Sequence, residues 1–254
     1  MGTGHAHALY VHEHSPIHHL PPQVKIAAAL TFIFAVAVTP REAVWAFAIY
    51  AVTIAVLVRI SKVGFGFVLI RLAGVIPFVA FAFLVPFIAS GEPVEVLGLS
   101  VSRDGLWASW NIIAKATVGA STSIVLAGTT EVPDLLAGMN RLRVPTLFTS
   151  IAGFMIRYLG LIVDEIGRMR VAMTSRGYDP RWLWQAKPIA ASAGAMFIRS
   201  YERGERVHDA MVARGYQGEM PELRRRDPKV QEWLVAGSLP LLGITVMIIA
   251  MGVT

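Results

Sequence analysis

The chain has 254 residues and a mass of about 27.6 kDa; 55% of its residues are apolar and 16% charged, with a mean hydropathy of +0.57, a balance foreign to an ordinary soluble domain. Its 23 Lys and Arg outnumber its 17 Asp and Glu, giving a formal charge of +6. There is no cysteine, which excludes disulfides, thiolate metal sites and a cysteine nucleophile.

Residues 1–23 read as a His-rich amino-terminal tail that carries six of the seven histidines, His5, His7, His12, His14, His18 and His19. The tail has no apolar core followed by a small-residue cleavage site, so insertion is expected to rely on internal segments. Its alternating histidines could chelate a divalent ion, but nothing in the pattern fixes a coordination geometry. A mobile tail is the simpler reading, and no metal ligand is assigned.

Residues 24–128 read as a four-helix transmembrane part, with apolar stretches at Val24–Thr39, Ala43–Val58, Leu72–Ala89 and Gly105–Gly128. Each is roughly long enough to cross about 30 Å of hydrocarbon, the first two being short. The loop after the second stretch holds Arg59 and Lys62, with Arg71 one turn on, whereas the loop at 90–104 carries Glu92, Glu95 and Asp104 against Arg103. By the Lys and Arg count, the amino terminus and the polar block that follows should be cytoplasmic. Pro77 and Pro86 are expected to kink the third span. Lys115, inside the fourth stretch near Asn111, Thr117, Ser121 and Ser123, is a functional candidate by position. A lysine turned to the protein interior or reaching an interface is the blander alternative.

Residues 129–232 hold 16 of the 23 basic and 12 of the 17 acidic residues. Apolar residues recur there at helical spacing. Val132, Leu135, Leu136, Met139 and Leu142 form a short stripe, with Thr130 as the expected cap and Glu131 and Asp134 in the first turn. Leu147, Ile151, Phe154, Tyr158, Ile162, Ile166, Met169 and Met173 form a longer stripe, and a third helix is predicted over 188–214, opened by Pro188. Gly153, Gly160 and Gly167 on one helix, and Ala190, Ala191, Gly194 and Ala195 on the next, would let backbones approach where two helices cross. Residues 233–254 complete the chain as a last transmembrane helix. Arg224, Arg225, Arg226 and Lys229 just before it suit a positive-inside anchor rather than a nucleic-acid patch. The fold class is therefore all-α: about five transmembrane helices plus a cytoplasmic block of long amphipathic helices.

The most informative pattern is an internal repeat. Ala172-Met173-Thr174-Ser175-Arg176-Gly177-Tyr178 returns 38 residues later as Ala210-Met211-Val212-Ala213-Arg214-Gly215-Tyr216. Upstream, Asp164 and Arg168 match Glu202 and Arg206, each an acid-to-base pair four residues apart. Arg followed by Gly closes a helix, because glycine takes the left-handed position freely and arginine meets the negative end of the helix dipole. One such end is ordinary. The same end twice in one chain suits a partner with two equivalent pockets, such as a homodimer below the membrane.

These residues carry a resemblance. Ser15-Pro16-Ile17-His18 leading to Pro22 and Lys25, the Leu142-Arg143-Val144-Pro145 turn, Arg157-Tyr158, Glu165, Arg168-Met169 and the paired Arg-Gly tips together resemble the transmembrane T component of energy-coupling-factor transporters, most closely the cobalt-type CbiQ branch. The resemblance implies a non-catalytic scaffold in a bacterial inner membrane. It implies that Ser175, Arg176 and Gly177, and Ala213, Arg214 and Gly215, enter grooves of a CbiO-like ATP-binding-cassette dimer, supported by Met173, Met211, Arg168 and Arg206. The first copy departs from the family's Ala-Arg-Gly at Ser175. A CbiM-like substrate-binding membrane subunit, with a small CbiN-like companion, is implied to hold the ion, while ATP and magnesium reside on the ATPase and this chain binds no cofactor. A nickel or vitamin transporter of the same type is the near alternative. A stand-alone channel or enzyme built around Lys115 is the distant one, since no phosphate loop, His-Glu-x2-His or Gly-x-Ser-x-Gly is present.

Overall fold

The computed structural model describes residues 10, 11, 13, 15–89, 93–96, 99–178, 182–218 and 227–253. Among the described residues the regular structure is helical apart from one antiparallel ribbon. In order it forms α1 (Pro22–Val38), α2 (Val44–Ser61), α3 (Phe65–Arg71), α4 (Ile76–Ile88), strands β1 (Pro93–Val96) and β2 (Leu99–Ser102), then α5 (Arg103–Thr129), α6 (Val132–Arg141), α7 (Thr146–Ser175), α8 (Lys187–Ala213) and α9 (Val230–Val253). The strands pair from Pro93 opposite Ser102 to Val96 opposite Leu99. A tight 3-10 segment, Leu72–Val75, separates α3 from α4 just before Pro77, whose missing N–H cannot continue the helical ladder.

Five helical runs are long and apolar enough to cross a bilayer: Val44–Ser61, Phe65–Ile88, α5, α7 and α9. Two expectations shift here. α1 has 17 residues, about 26 Å at 1.5 Å per residue, and falls short of the hydrocarbon thickness. α7, placed by its charges in the polar block, reaches the required length and apolarity because Arg157 is its only charge before Asp164. The chain is thus a multi-pass, essentially all-α membrane protein.

The described residues divide into two compact units, one ending at Leu142 and completed by α9, the other starting at Arg143 and holding α7 and α8. α6 falls in the first of these units, and α7 and α8 in the second. α6 belongs with the membrane helices: a Cβ at Gly138 would lie 2.9 Å from the backbone nitrogen of Gln23, so only glycine lets α6 seat on the start of α1. Thr130 does not cap α6. Glu131 occupies the cap position without a side-chain hydrogen bond, and the Thr130 hydroxyl is buried without a partner among the described residues.

The first unit's core is centred on Tyr50 and Phe32, both fully buried and packed edge to face at 5.5 Å. The Tyr50 hydroxyl is 2.9 Å from the Thr39 hydroxyl and 3.2 Å from the Gly243 carbonyl, tying α2 to the end of α1 and to α9. Gly243 is required by packing as well, since a Cβ there would stand 2.8 Å from Phe32 Cδ2. Gly243→Val should overpack this contact by about 1–3 kcal/mol. The expected readout is a fall of roughly 5 °C in the Tm of the detergent-solubilised protein, with Gly237→Val, which meets nothing within 4 Å, as control.

Candidate functional site

α7 and α8 end in the same way. At the first tip the N–H of Gly177 donates to the Thr174 carbonyl at 2.9 Å and that of Tyr178 to Met173 at 3.1 Å; at the second, Gly215 donates to Val212 at 2.9 Å and Tyr216 to Met211 at 3.0 Å. This double bond pattern is the Schellman closure, and it requires the glycine to be left-handed: φ is +77° at Gly177 and +85° at Gly215. The arginines match equally, Arg176 at φ −92°, ψ 13° and Arg214 at φ −93°, ψ 9°. Both side chains are exposed. Ser175, the departure in the first copy, turns its hydroxyl back onto the Val171 carbonyl at 3.0 Å, so it leaves the tip's geometry as Ala213 does.

The two helices run antiparallel. Near the first tip Ser192 donates to the Met173 sulfur at 3.7 Å; midway, Arg199 and Arg203 meet Glu165; toward the second tip, Phe154, Tyr158, Val207 and Met211 line one cleft of about 380 Å³. The half-buried residues of α8 fall at 192, 196, 200, 203, 207 and 211, and the facing stripe of α7 at 154, 158, 162, 165, 169 and 173. Antiparallel pairing puts the tips at opposite ends, roughly 40 Å apart by helical rise. The supporting residues behave unequally: Glu202 and Arg206 pair at 3.8 Å, whereas Asp164 and Arg168 form no ion pair among the described residues.

Two sequence expectations are corrected here. Ile166 is 48% exposed and Glu165, at 8%, takes the inward place in the stripe. Of the small residues, Gly167 on α7 and those on α8 do not mediate a crossing. Ala190, Ala191, Gly194 and Ala195 are exposed, and a Cβ at Gly167 or Gly194 would meet nothing within 4 Å. α7 and α8 meet through methionine, arginine and glutamate side chains rather than by close backbone approach.

Lys115 has a structural partner. Its Nζ donates to the Ala37 carbonyl in the last turn of α1 at 2.7 Å, which supports the interior-facing reading over a polar site. Lys25 mirrors it: buried in the first turn of α1, it donates to the carbonyl of Thr129, the last residue of α5, at 2.7 Å. Each helix thus caps the other's negative end. Nothing in the sequence pattern announced this exchange.

His18 is held inside a turn: its Nδ1 accepts from the buried Ser15 hydroxyl at 2.7 Å, and its Nε2 donates to the Val11 carbonyl at 3.1 Å. Burial lowers its pKa below the ordinary imidazole value, and both ring nitrogens are engaged. Val11 in turn donates to Gly128 at 3.0 Å, so this part of the supposed tail is folded onto the end of α5. No cluster of three or more metal-ligating side chains occurs among the described residues. His5, His7, His12 and His14, and the tract Arg224, Arg225 and Arg226, lie outside the described residues.

The CbiQ family, described as cobalt transport protein, matches residues 13–223, most of the chain. The chain belongs to this family. Among relatives, it is 29% identical over 146 residues to the cobalt transport protein CbiQ of Rhodobacter capsulatus, covering 55% of this chain and 59% of that one. It is 26% identical over 254 residues to the energy-coupling factor transporter transmembrane protein EcfT of Ruminiclostridium cellulolyticum, covering 94% and 92%. A putative fused cobalt transport protein CbiMQ of Methanocorpusculum labreanum is 24% identical over 107 residues, 42% of this chain and 18% of that protein. The chain spans little more than half the length of several of the relatives it matches, 56% to 59%. The Ruminiclostridium relative is by name a transmembrane protein of an energy-coupling factor transporter.

Proposed function

We propose that this CbiQ-family chain is the energy-coupling scaffold of a cobalt uptake transporter in a bacterial inner membrane, with its amino terminus and the arginine tips of α7 and α8 on the cytoplasmic side. Arg176 and Arg214 each enter a groove of one subunit of a CbiO-like ATPase dimer and form charge-assisted hydrogen bonds with acidic or carbonyl groups there. Gly177 and Gly215 keep the tips narrow enough to enter. ATP and magnesium bind the ATPase, no cofactor binds this chain, and a CbiM-like membrane subunit, with a CbiN-like companion, holds the ion. The observation that carries the reading is the pair of matched, exposed arginine tips at opposite ends of one antiparallel helix pair, which suits a two-fold symmetric partner. Cobalt as cargo is supported by the family's description and by the printed names of the Rhodobacter and Methanocorpusculum relatives.

Co-expression with an ATPase pair and a substrate-binding subunit from a cobalt transporter tests the reading. The chain is expected to retain both ATPase subunits through purification and to support ATP-dependent uptake of radioactive Co2+ into vesicles. Ion movement by the purified chain alone, without an ATPase, would overturn it in favour of a channel.

A further inference from the structure

Glu165 is the single buried residue of α7, and α8 has none. A carboxylate set into an otherwise apolar stripe persists only if its oxygens are paired. Here they are shared: Arg199 Nε lies 3.1 Å from one and Arg203 Nη2 3.9 Å from the other. Arg199 also reaches the Met169 sulfur at 3.4 Å, so one guanidinium bridges two successive turns of α7.

Around this triad the contact is soft. On one side it consists of methionine thioethers and Ser192, and on the other it opens into the 380 Å³ cleft. Flexible thioethers permit repacking and do not fix an angle. The ion triad is the one charge-paired contact between the helices among the described residues, the others being bonds to thioether sulfurs, so it does most to set their register and tilt. Its place is also near-central: Glu165 precedes Arg176 by eleven residues, and Arg199 and Arg203 precede Arg214 by fifteen and eleven. The arms are therefore about 16 Å on α7 and about 16–22 Å on α8, and a tilt of roughly 10° at the triad would displace either tip by about 3–4 Å.

We infer that Glu165 is a positioning residue that acts through Arg199 and Arg203 as the central pivot of the α7–α8 pair, fixing the separation at which the two arginine tips are presented. The functional half of this inference rests on the docking reading above; the geometric half does not. Because the chain has no cysteine, Val171→Cys and Asp209→Cys, both exposed and clear of the tips, can carry spin labels for a distance measurement across the pair. The full complex in nanodiscs is the sample. Glu165→Gln keeps the side chain's shape and removes the charge that both arginines share. It is expected to widen the interlabel distance distribution about twofold and to lower Co2+ uptake per ATP hydrolysed roughly tenfold. Glu165→Arg combined with Arg199→Glu should narrow the distribution again and recover coupling, an outcome that loss of fold cannot produce. An unchanged distribution in Glu165→Gln, or a widened one with uptake per ATP unaltered, would overturn the pivot. Retention of the ATPase pair by tip variants strikes the docking reading alone, and the distance measurement then still decides the pivot's geometry.

Discussion

Replacing Arg176 or Arg214 by glutamate is expected to detach the ATPase from the corresponding tip while leaving the chain folded in the membrane. Both guanidiniums are exposed, so charge reversal removes no internal contact. Each is the C-cap residue of its helix, one residue before a left-handed glycine, where a carboxylate also faces the negative end of the dipole. That intrinsic penalty is only about 0.3–1 kcal/mol at an exposed helix end. Loss of one side of a buried, charge-assisted contact with a partner is larger, about 2–5 kcal/mol. The predicted result is a fall of roughly 30-fold or more in ATPase retention for either single variant, with a Tm within about 2 °C of the parent. The double variant should lose the ATPase altogether. Two single variants that still carry Co2+ at the parental rate would remove the docking role.

The second large effect concerns stability. Lys25→Met takes away the donor to the Thr129 carbonyl, whose residue is 2% exposed, and leaves that acceptor buried at the end of α5. An orphaned buried acceptor costs about 1–3 kcal/mol, partly offset because a desolvated ammonium disappears with it. A drop of about 5 °C in Tm is expected. Lys115→Met removes the matching bond to Ala37 at a half-buried site, where other polar groups can reach the carbonyl. Its drop should be no more than half as large, and uptake should persist. The reverse order of the two variants would show that these bonds do not behave as a reciprocal cap; loss of uptake in Lys115→Met without loss of stability would restore that lysine as a functional site.

Local signals in this chain were legible wherever the chemistry is local. α8 was predicted over 188–214 and runs from Lys187 to Ala213, because Pro188 and Gly215 punctuate both ends. The matched tips were visible because a Schellman closure depends on a few consecutive residues. What failed required a neighbouring helix. A glutamate inside an apolar stripe looks like a slipped surface residue until Arg199 and Arg203 are placed against it. Helical phase could not separate it from Ile166, since Ile162 to Met169 is spanned by three- and four-residue steps through either Glu165 or Ile166. Gly167 and the small residues of α8 misled because their spacing is the same whether they meet a partner helix or open space. Thr130 misled because it closes α5 as the C-cap residue, and α6 starts one residue later with Glu131 at its cap position.

The lysine exchange between α1 and α5 also constrains the order of events during synthesis. Lys25 and its acceptor are 104 residues apart, and Lys115 and its acceptor 78. At about 5–20 residues per second, the ribosome needs several seconds to deliver the second helix after the first has emerged. During that interval the nascent amino-terminal helix carries an ammonium with no carbonyl to receive it and a frayed far end with no cation to close it. Its lodging in the lipid is provisional until the later helix arrives, and a ribosomal pause between the two would prolong the time in which quality-control proteases can reach it.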